Sequence, residues 1–195
     1  MPDAGRVISG SARGIRLDAP GEGTRPLGDR VKETLFGVLE AGRLAPWPAP
    51  FLDLFAGSGA GGIEALSRGA PRATFVEQDR RAVTVIASNL ARARLAERAT
   101  IVSAEAIAFL RASRDLGQLG FGAVLLDPPY GDATLLLALE RLAEPGASWL
   151  AESAVVVAKH FWRAAPPERV GRLVRTRDRR FGETALTFYL LDRRP

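Results

Sequence analysis

The chain has 195 residues, 47% of them hydrophobic, and carries 27 basic against 22 acidic residues for a net charge of +5. That is enough chain for one domain with a sizeable core, and the basic balance favours an acidic partner such as nucleic acid. Zero cysteines exclude disulfides, thiolate metal sites and thiol nucleophiles, and a single histidine excludes a His-rich metal site, so no metal is expected.

No apolar run approaches the roughly 20 residues that cross a bilayer. Met1–Arg6 lacks the apolar core of a signal segment, so a cytoplasmic protein without membrane association is expected. All but Lys32 and Lys159 of the basic residues are arginine. Genome composition alone can produce that skew, so charge by itself does not decide for nucleic acid.

The first predicted element is a β-hairpin within residues 5–18, two short apolar and basic runs around Ser9-Gly10-Ser11-Ala12, with Arg6, Arg13 and Arg16 projecting. Asp29 can cap a helix to about Ala41, with Val31, Leu35, Val38 and Leu39 on one face. A proline-rich connector follows at Pro46, Pro48 and Pro50. From Phe51 the pattern alternates. Strands are predicted at 51–55, 73–77, 100–103, 123–126 and 154–159, and helices at 63–68, 80–95, 105–111 and 134–142. Residues 115–121 read as a loop. Two late runs, 169–177 and 184–191, read as an antiparallel pair. Such alternation implies an α/β fold with a mostly parallel sheet covered on both faces. Residues 1–45 read as an N-terminal extension and 46–195 as the α/β domain.

Two stretches carry chemistry. The first is Asp53-Leu54-Phe55-Ala56-Gly57-Ser58-Gly59-Ala60-Gly61-Gly62, a glycine-rich turn between a strand and a helix. Glycines let the backbone approach a ligand, and a helix N-terminus offers free amides. It is not a phosphate loop of the Lys-Ser/Thr type. Asp53 would repel a pyrophosphate, yet it can accept from an amino group or hydroxyl of a cationic ligand. Glu77 ends the next strand, where acidic residues bind ribose hydroxyls in α/β nucleotide sites. Asp79 reads as a helix cap. Glu105 could meet an adenine amine or only offset a helix dipole.

The second stretch is Asp127-Pro128-Pro129-Tyr130, after the apolar run Ala123–Leu126. Two prolines stop a buried strand abruptly. The turn then presents a carboxylate, a prolyl carbonyl and an aromatic ring. The exocyclic amine of a nucleobase is a poor nucleophile because its lone pair is delocalised into the ring. Asp127 and the Pro128 carbonyl could hold its two hydrogens, and Tyr130 could stack on the base. That would aim the lone pair at an electrophile, a proximity and electrostatic effect.

Together these residues resemble the class I S-adenosylmethionine-dependent methyltransferases, and within them the bacterial RsmD family, over nearly the whole chain. Arg6-Val7-Ile8-Ser9-Gly10, Arg13-Gly14, Arg25-Pro26 and Asp29–Phe36 are similar to that family's opening motifs. Phe55–Gly59 and Glu64–Ala70 resemble its cofactor loop and following helix, and Asp127–Tyr130 its catalytic tetrapeptide. Leu27-Gly28 replaces a pair of threonines, Gly61 replaces a bulkier apolar residue, and Ala158 stands about where the family often has Glu. No role is carried onto those positions.

The resemblance implies a single Rossmann-like domain with a seven-stranded sheet. It implies methyl transfer from S-adenosylmethionine to the N2 amine of a guanine in 16S rRNA (guanine 966 in the family's naming), by a monomer acting on the small ribosomal subunit or its assembly intermediate. Asp53, Ala56, Gly57, Ser58 and Gly59 would line the methionine part of the cofactor, Glu77 would hold the ribose, and Glu105 and Ala106 the adenine. Asp127, Pro128, Pro129 and Tyr130 would hold the target base. Arg6, Arg13, Arg16, Arg25, Arg30 and Lys32 would meet RNA phosphates, with a solvated face as the plain alternative. The nine arginines of residues 161–195 could widen that surface. Other readings are a DNA adenine-N6 methyltransferase, a protein-glutamine methyltransferase, or a non-catalytic RNA-binding protein on the same scaffold. The first would need a recognition segment for which the chain has little length, and the second favours Asn before Pro-Pro. The intact Asp127 and glycine-rich loop oppose the third.

Overall fold

The computed structural model describes residues 2–21, 27–42, 44–112, 120–129, 133–146 and 148–192. The strands of the main sheet are β3 (Phe51–Leu54), β4 (Ala73–Glu77), β5 (Ala99–Ser103), β6 (Phe121–Leu126), β7 (Leu150–Phe161), β8 (Arg169–Val170), β9 (Leu173–Phe181) and β10 (Thr184–Leu191). Their order is β5-β4-β3-β6-β7-β10-β9-β8. The first five are parallel, and β10, β9 and β8 continue the sheet antiparallel. The sheet therefore has eight strands rather than the expected seven. The run expected as one strand from Arg169 is broken at Gly171, which has φ +51°. Val170 then pairs with Leu173 across a tight turn that positive φ makes possible.

The parallel strands read as unbroken apolar runs because both faces are buried. Alternate residues supply the two faces. Phe51, Phe75, Leu125, Val157 and Phe188 pack with helices α1 (Asp29–Glu40), α2 (Ala60–Ser67) and α3 (Arg80–Ala93). Leu52, Leu54, Val76, Val124, Leu126 and Tyr189 pack with α4 (Ala106–Arg111) and α5 (Thr134–Ala143). No described helix is long and apolar enough to cross a membrane.

Helix α1 begins at Asp29 itself, with Gly28 in the capping position and no side-chain cap. The expected capping role of Asp29 is thus corrected. As the first residue of the helix, its carboxylate pairs instead with Arg6 and Lys32, each at 3.4 Å. Helix α2 starts three residues earlier than expected, inside the glycines. A Cβ on Gly62 would lie 2.3 Å from the Phe75 ring, and one on Gly61 would lie 2.6 Å from Leu125. These two glycines let α2 lie close on the sheet, a gain in packing that outweighs their poor helix propensity. Only Gly57 and Gly59, with φ +55° and +78°, serve the turn itself.

The N-terminal hairpin, β1 (Asp3–Arg6) and β2 (Arg16–Asp18), forms its own two-stranded sheet. Its apolar residues Ala4, Val7, Ala12 and Leu17 join the core on the α1 side. Polar clamps fix it there. Glu64, on α2 and fully buried, accepts from the amides of Ile8 at 2.8 Å and Ser9 at 3.0 Å, and from Arg68 Nε at 2.6 Å. Ser67 Oγ accepts from the Ala12 amide at 2.9 Å and donates to the Ser9 carbonyl. Asn89, buried on α3, accepts from the Asp18 amide and donates to the carbonyls of Asp18 and Ser58.

Candidate active site

The parallel register brings Leu54, Val76, Leu126 and Ala158 to one end of the sheet. The residues just beyond them surround a cavity of about 600 Å³. A cleft outside the carboxyl ends of parallel strands is where α/β folds bind ligands. Ala56, Gly57, Ser58, Glu77, Glu105 and Ala106 all line it, as do Asp53, Asp127, Pro128 and Pro129. Gly59 does not. It stands at the start of α2, where a Cβ would meet Ile86 and Ile63. Tyr130 and Arg25 lie outside the described residues.

The turn after β3 opens on Phe55 at φ +66°, a left-handed conformation that an aromatic residue rarely adopts. Such outliers persist where the surroundings over-determine them, often at ligand sites. Here the Ala56 amide donates to the Val76 carbonyl and the Gly57 amide to Glu77 Oε2 at 2.8 Å. Glu77 Oε1 accepts from the Asp79 amide at 2.9 Å. Glu77 thus joins the glycine-rich turn to the start of α3, while its position lets it face the cavity. Asp79 caps α3 by accepting from the Arg81 amide, as expected. Glu105 caps α4, accepting from the amides of Ile107 and Ala108. Of its two anticipated roles, the helix terminus is directly visible.

Asp53 is the most deeply buried acid of the cavity. Its Oδ2 accepts from the Gly62 amide at 2.7 Å. Burial, helped by the negative charges of Asp127 and Glu77, pushes its carboxyl up to about 8, against the pull of that amide. Asp127 sits at the end of β6. Burial raises its carboxyl too, opposed by the Lys159 ammonium 2.6 Å from Oδ1.

Lys159, to which the sequence alone gives no role, joins the candidate site. It is 5% exposed, ends the apolar run of β7, and lines the same cavity. Because Leu126 pairs with Ala158, Asp127 and Lys159 are the next residues along adjacent strands. A lone lysine at the carboxyl end of a parallel strand was the available signal. With Asp53, Glu77, Glu105 and Asp127, the cavity holds four carboxyl groups against one ammonium among its described lining residues. Inside a basic protein, that suits a cationic ligand.

The basic residues assigned to RNA divide. Arg13 and Arg30 are exposed, and the side chains of Arg6 and Arg16 are 64% and 80% exposed, paired with Asp29 and Asp3. Lys32 is removed from the set. It is fully buried, with its ammonium on the Arg6 carbonyl and near Asp29. An ammonium enclosed this way by protein acceptors presents nothing to a phosphate. Arg13 rides on the turn clamped to Ser67, at the C-terminal end of α2, whereas the cavity borders the N-terminal end of that helix.

The sheet order and the cleft define the fold of a class I methyltransferase. The solved yhhF structure from Escherichia coli superposes with a TM-score of 0.77 at 35% identity, over 96% of this chain and 97% of that one. The family described as conserved hypothetical protein 95 matches residues 5–190. The YlbH protein of Bacillus subtilis is 39% identical over 189 residues, covering 94% of this chain and 97% of its own. The Escherichia coli protein named ribosomal RNA small subunit methyltransferase D is 39% identical over 160 residues, 77% of this chain and 72% of its own. The chain belongs to this RsmD family of rRNA methyltransferases.

Proposed function

We propose that this chain transfers a methyl group from S-adenosylmethionine to the exocyclic N2 amine of a guanine in 16S rRNA, guanine 966 in the family's naming. The observation that carries this reading is the Asp127–Pro128 turn, set at a carboxylate-lined cavity with Lys159 on one carboxylate oxygen. When bound, S-adenosylmethionine supplies an electrophilic methyl on a cationic sulfur. The cavity fits such a group: Gly57 and Ser58 offer close backbone, and Glu77 and Asp53 offer acceptors for hydroxyls and an ammonium. Glu105 and Ala106 border the place for a flat adenine. Lys159 occupies Asp127 Oδ1, which leaves Oδ2 and the Pro128 carbonyl to hold the hydrogens of the target amine. Tyr130 follows directly in the chain and would stack on the base. The protein works as a monomer in the cytoplasm, where small ribosomal subunits and their precursors are met.

Asp53 makes cofactor binding sensitive to pH. In the free protein its carboxyl keeps a proton below about 8, whereas the unfolded chain gives it up near 3.8. The folded state therefore binds the extra proton, and this group's contribution to stability falls as pH rises from about 4 to 8. A cationic ligand favours the anion. Binding at pH 7 is expected to release a proton and to tighten as pH rises towards 8. Calorimetry in buffers of different ionisation heat measures this, and Asp53→Asn should abolish the release.

The RNA-facing role of the N-terminal segment has its own test. Neutralising Arg6, Arg13 and Arg16 together is expected to weaken RNA binding and flatten its dependence on salt. The logarithmic slope should fall by about 0.7 to 0.9 for each phosphate that is no longer neutralised. An unchanged slope removes the hairpin from the RNA surface.

The reaction itself is tested by incubating the protein with labelled S-adenosylmethionine and small subunits from cells lacking the modification, then mapping the product by mass spectrometry. N2-methylguanine in 16S rRNA is expected. N6-methyladenine in DNA would establish the competing reading instead.

A further inference from the structure

Strand β7 runs on past its partner β6, which ends at Leu126 opposite Ala158. Its last residue, Phe161, pairs with Thr184 of β10, and Thr184 pairs with Phe181 of β9. Two turns therefore stand side by side at the cavity end of the sheet, one after Phe161 and one between β9 and β10. The Trp162 amide donates to the Glu183 carbonyl at 3.0 Å and joins them. From Lys159 to Trp162 is three residues of extended chain, about 10 Å.

Trp162 carries two guanidinium groups over its ring, Arg180 at 3.5 Å from the centroid and Arg163 at 4.7 Å. Arg180 is steadied by its Nε bond to the Gly182 carbonyl. Arg163, Arg179 and Arg180 are exposed, and Trp162 is half-buried. The nearby acids are Glu183, exposed on the turn, and Asp178, which is held by Arg175 and Thr187. The junction is therefore an aromatic ring with two guanidinium groups over it and excess positive charge, three residues along the chain from the cavity-lining Lys159.

A guanine amine buried in the cavity must leave its helix. Its neighbours in the strand then lose stacking partners and expose flat faces next to phosphates. Aromatic rings and guanidinium planes bind such nucleotides, one through stacking and the other through charge as well. We propose that Trp162, Arg163 and Arg180 form a second RNA contact that holds unpaired nucleotides flanking the target base. This rests on the proposed reaction, which supplies the extruded base.

The test compares the unmodified protein with Trp162→Ala, Trp162→Phe and Arg163→Gln/Arg180→Gln. Each is assayed for methyl transfer and for binding to a 16S rRNA fragment containing the target loop across a salt series. The Arg pair variant should raise KM for RNA at least about tenfold and flatten the logarithmic salt slope by about 1.4, the value for two single-strand phosphates. Trp162→Ala should raise KM with little change in slope, and Trp162→Phe should stay near the unmodified protein, since it keeps a ring. Cofactor affinity should hold in all. If the unmodified protein methylates the RNA and the variants match it in KM and slope, this second contact is wrong while the reaction stands. Loss confined to assembled particles, with free RNA bound normally, would also overturn it and point to a protein contact. If the unmodified protein methylates no 16S RNA, the proposed reaction itself fails.

Discussion

Asp127→Ala is expected to lower methyl transfer by about 10²- to 10³-fold or more, the range seen when an oriented polar group at the reacting centre is removed. The affinity for S-adenosylmethionine should stay within severalfold. The separation follows from geometry. Asp53, Glu77 and Glu105 stand on β3, on β4 and before α4, whereas Asp127 stands at the end of β6 with Lys159. Removing its carboxylate takes away the proposed acceptor for the target amine and leaves the hydrogen bonds of the glycine-rich turn in place. It also takes the 2.6 Å partner from a buried ammonium, so Asp127→Asn is the better-folded companion. Asn keeps the shape and one acceptor, and the loss should be smaller. Single-turnover rates alongside cofactor calorimetry read both quantities. Turnover like that of the unmodified protein in Asp127→Ala would remove this residue from the site.

The second large effect lies in the scaffold. Glu64→Ala is expected to destabilise the protein by about 3–5 kcal/mol, the usual cost of removing one partner from a buried ion pair. Arg68 Nε loses its 2.6 Å partner and the guanidinium keeps only the more exposed Glu40 carboxylate, and the amides of Ile8 and Ser9 lose the carboxylate that accepts from them in a part-buried seam. At roughly 2–4 °C per kcal/mol for a chain of this size, melting should fall by about 6–20 °C. Glu64→Gln keeps a carbonyl oxygen and should fall less. Differential scanning calorimetry gives the shift, and hydrogen exchange should accelerate first at Ile8 and Ser9. A change below about 2 °C would show that the apolar contacts of the hairpin hold it unaided.

Much of this molecule is legible in its amino-acid order, for a physical reason. Strands buried on both faces must be continuous apolar runs, so Ala123–Leu126 and Ala73–Val76 stand out. Asp127 and Glu77 follow, because each ends such a run. What is hidden depends on partners distant in sequence. Lys159 gains meaning only when β7 pairs with β6 and sets it against Asp127, 32 residues away. Lys32 reads as a surface cation, but its helix turns it into the core. Four glycines look like one ligand loop, yet Gly61 and Gly62 are packing residues under α2, which only the ring of Phe75 and the side chain of Leu125 reveal. Gly171 splits a strand that hydropathy alone joins.

The polar clamps on the N-terminal hairpin also set an order of assembly. Ile8 is held by a residue 56 positions later, Ala12 by one 55 later and Asp18 by one 71 later. At about 5–20 residues per second, a ribosome takes roughly 4–14 s to make the stretch between Asp18 and Asn89. The hairpin is therefore made before the residues that clamp it, and these clamps cannot form until α2 and α3 have been synthesised. A truncated product ending before α3 lacks the Asn89 clamp, so the basic hairpin cannot take its full place without the helix that follows β4. The segment assigned to RNA is fastened to the cofactor half, and completion of that half governs when its clamps can form.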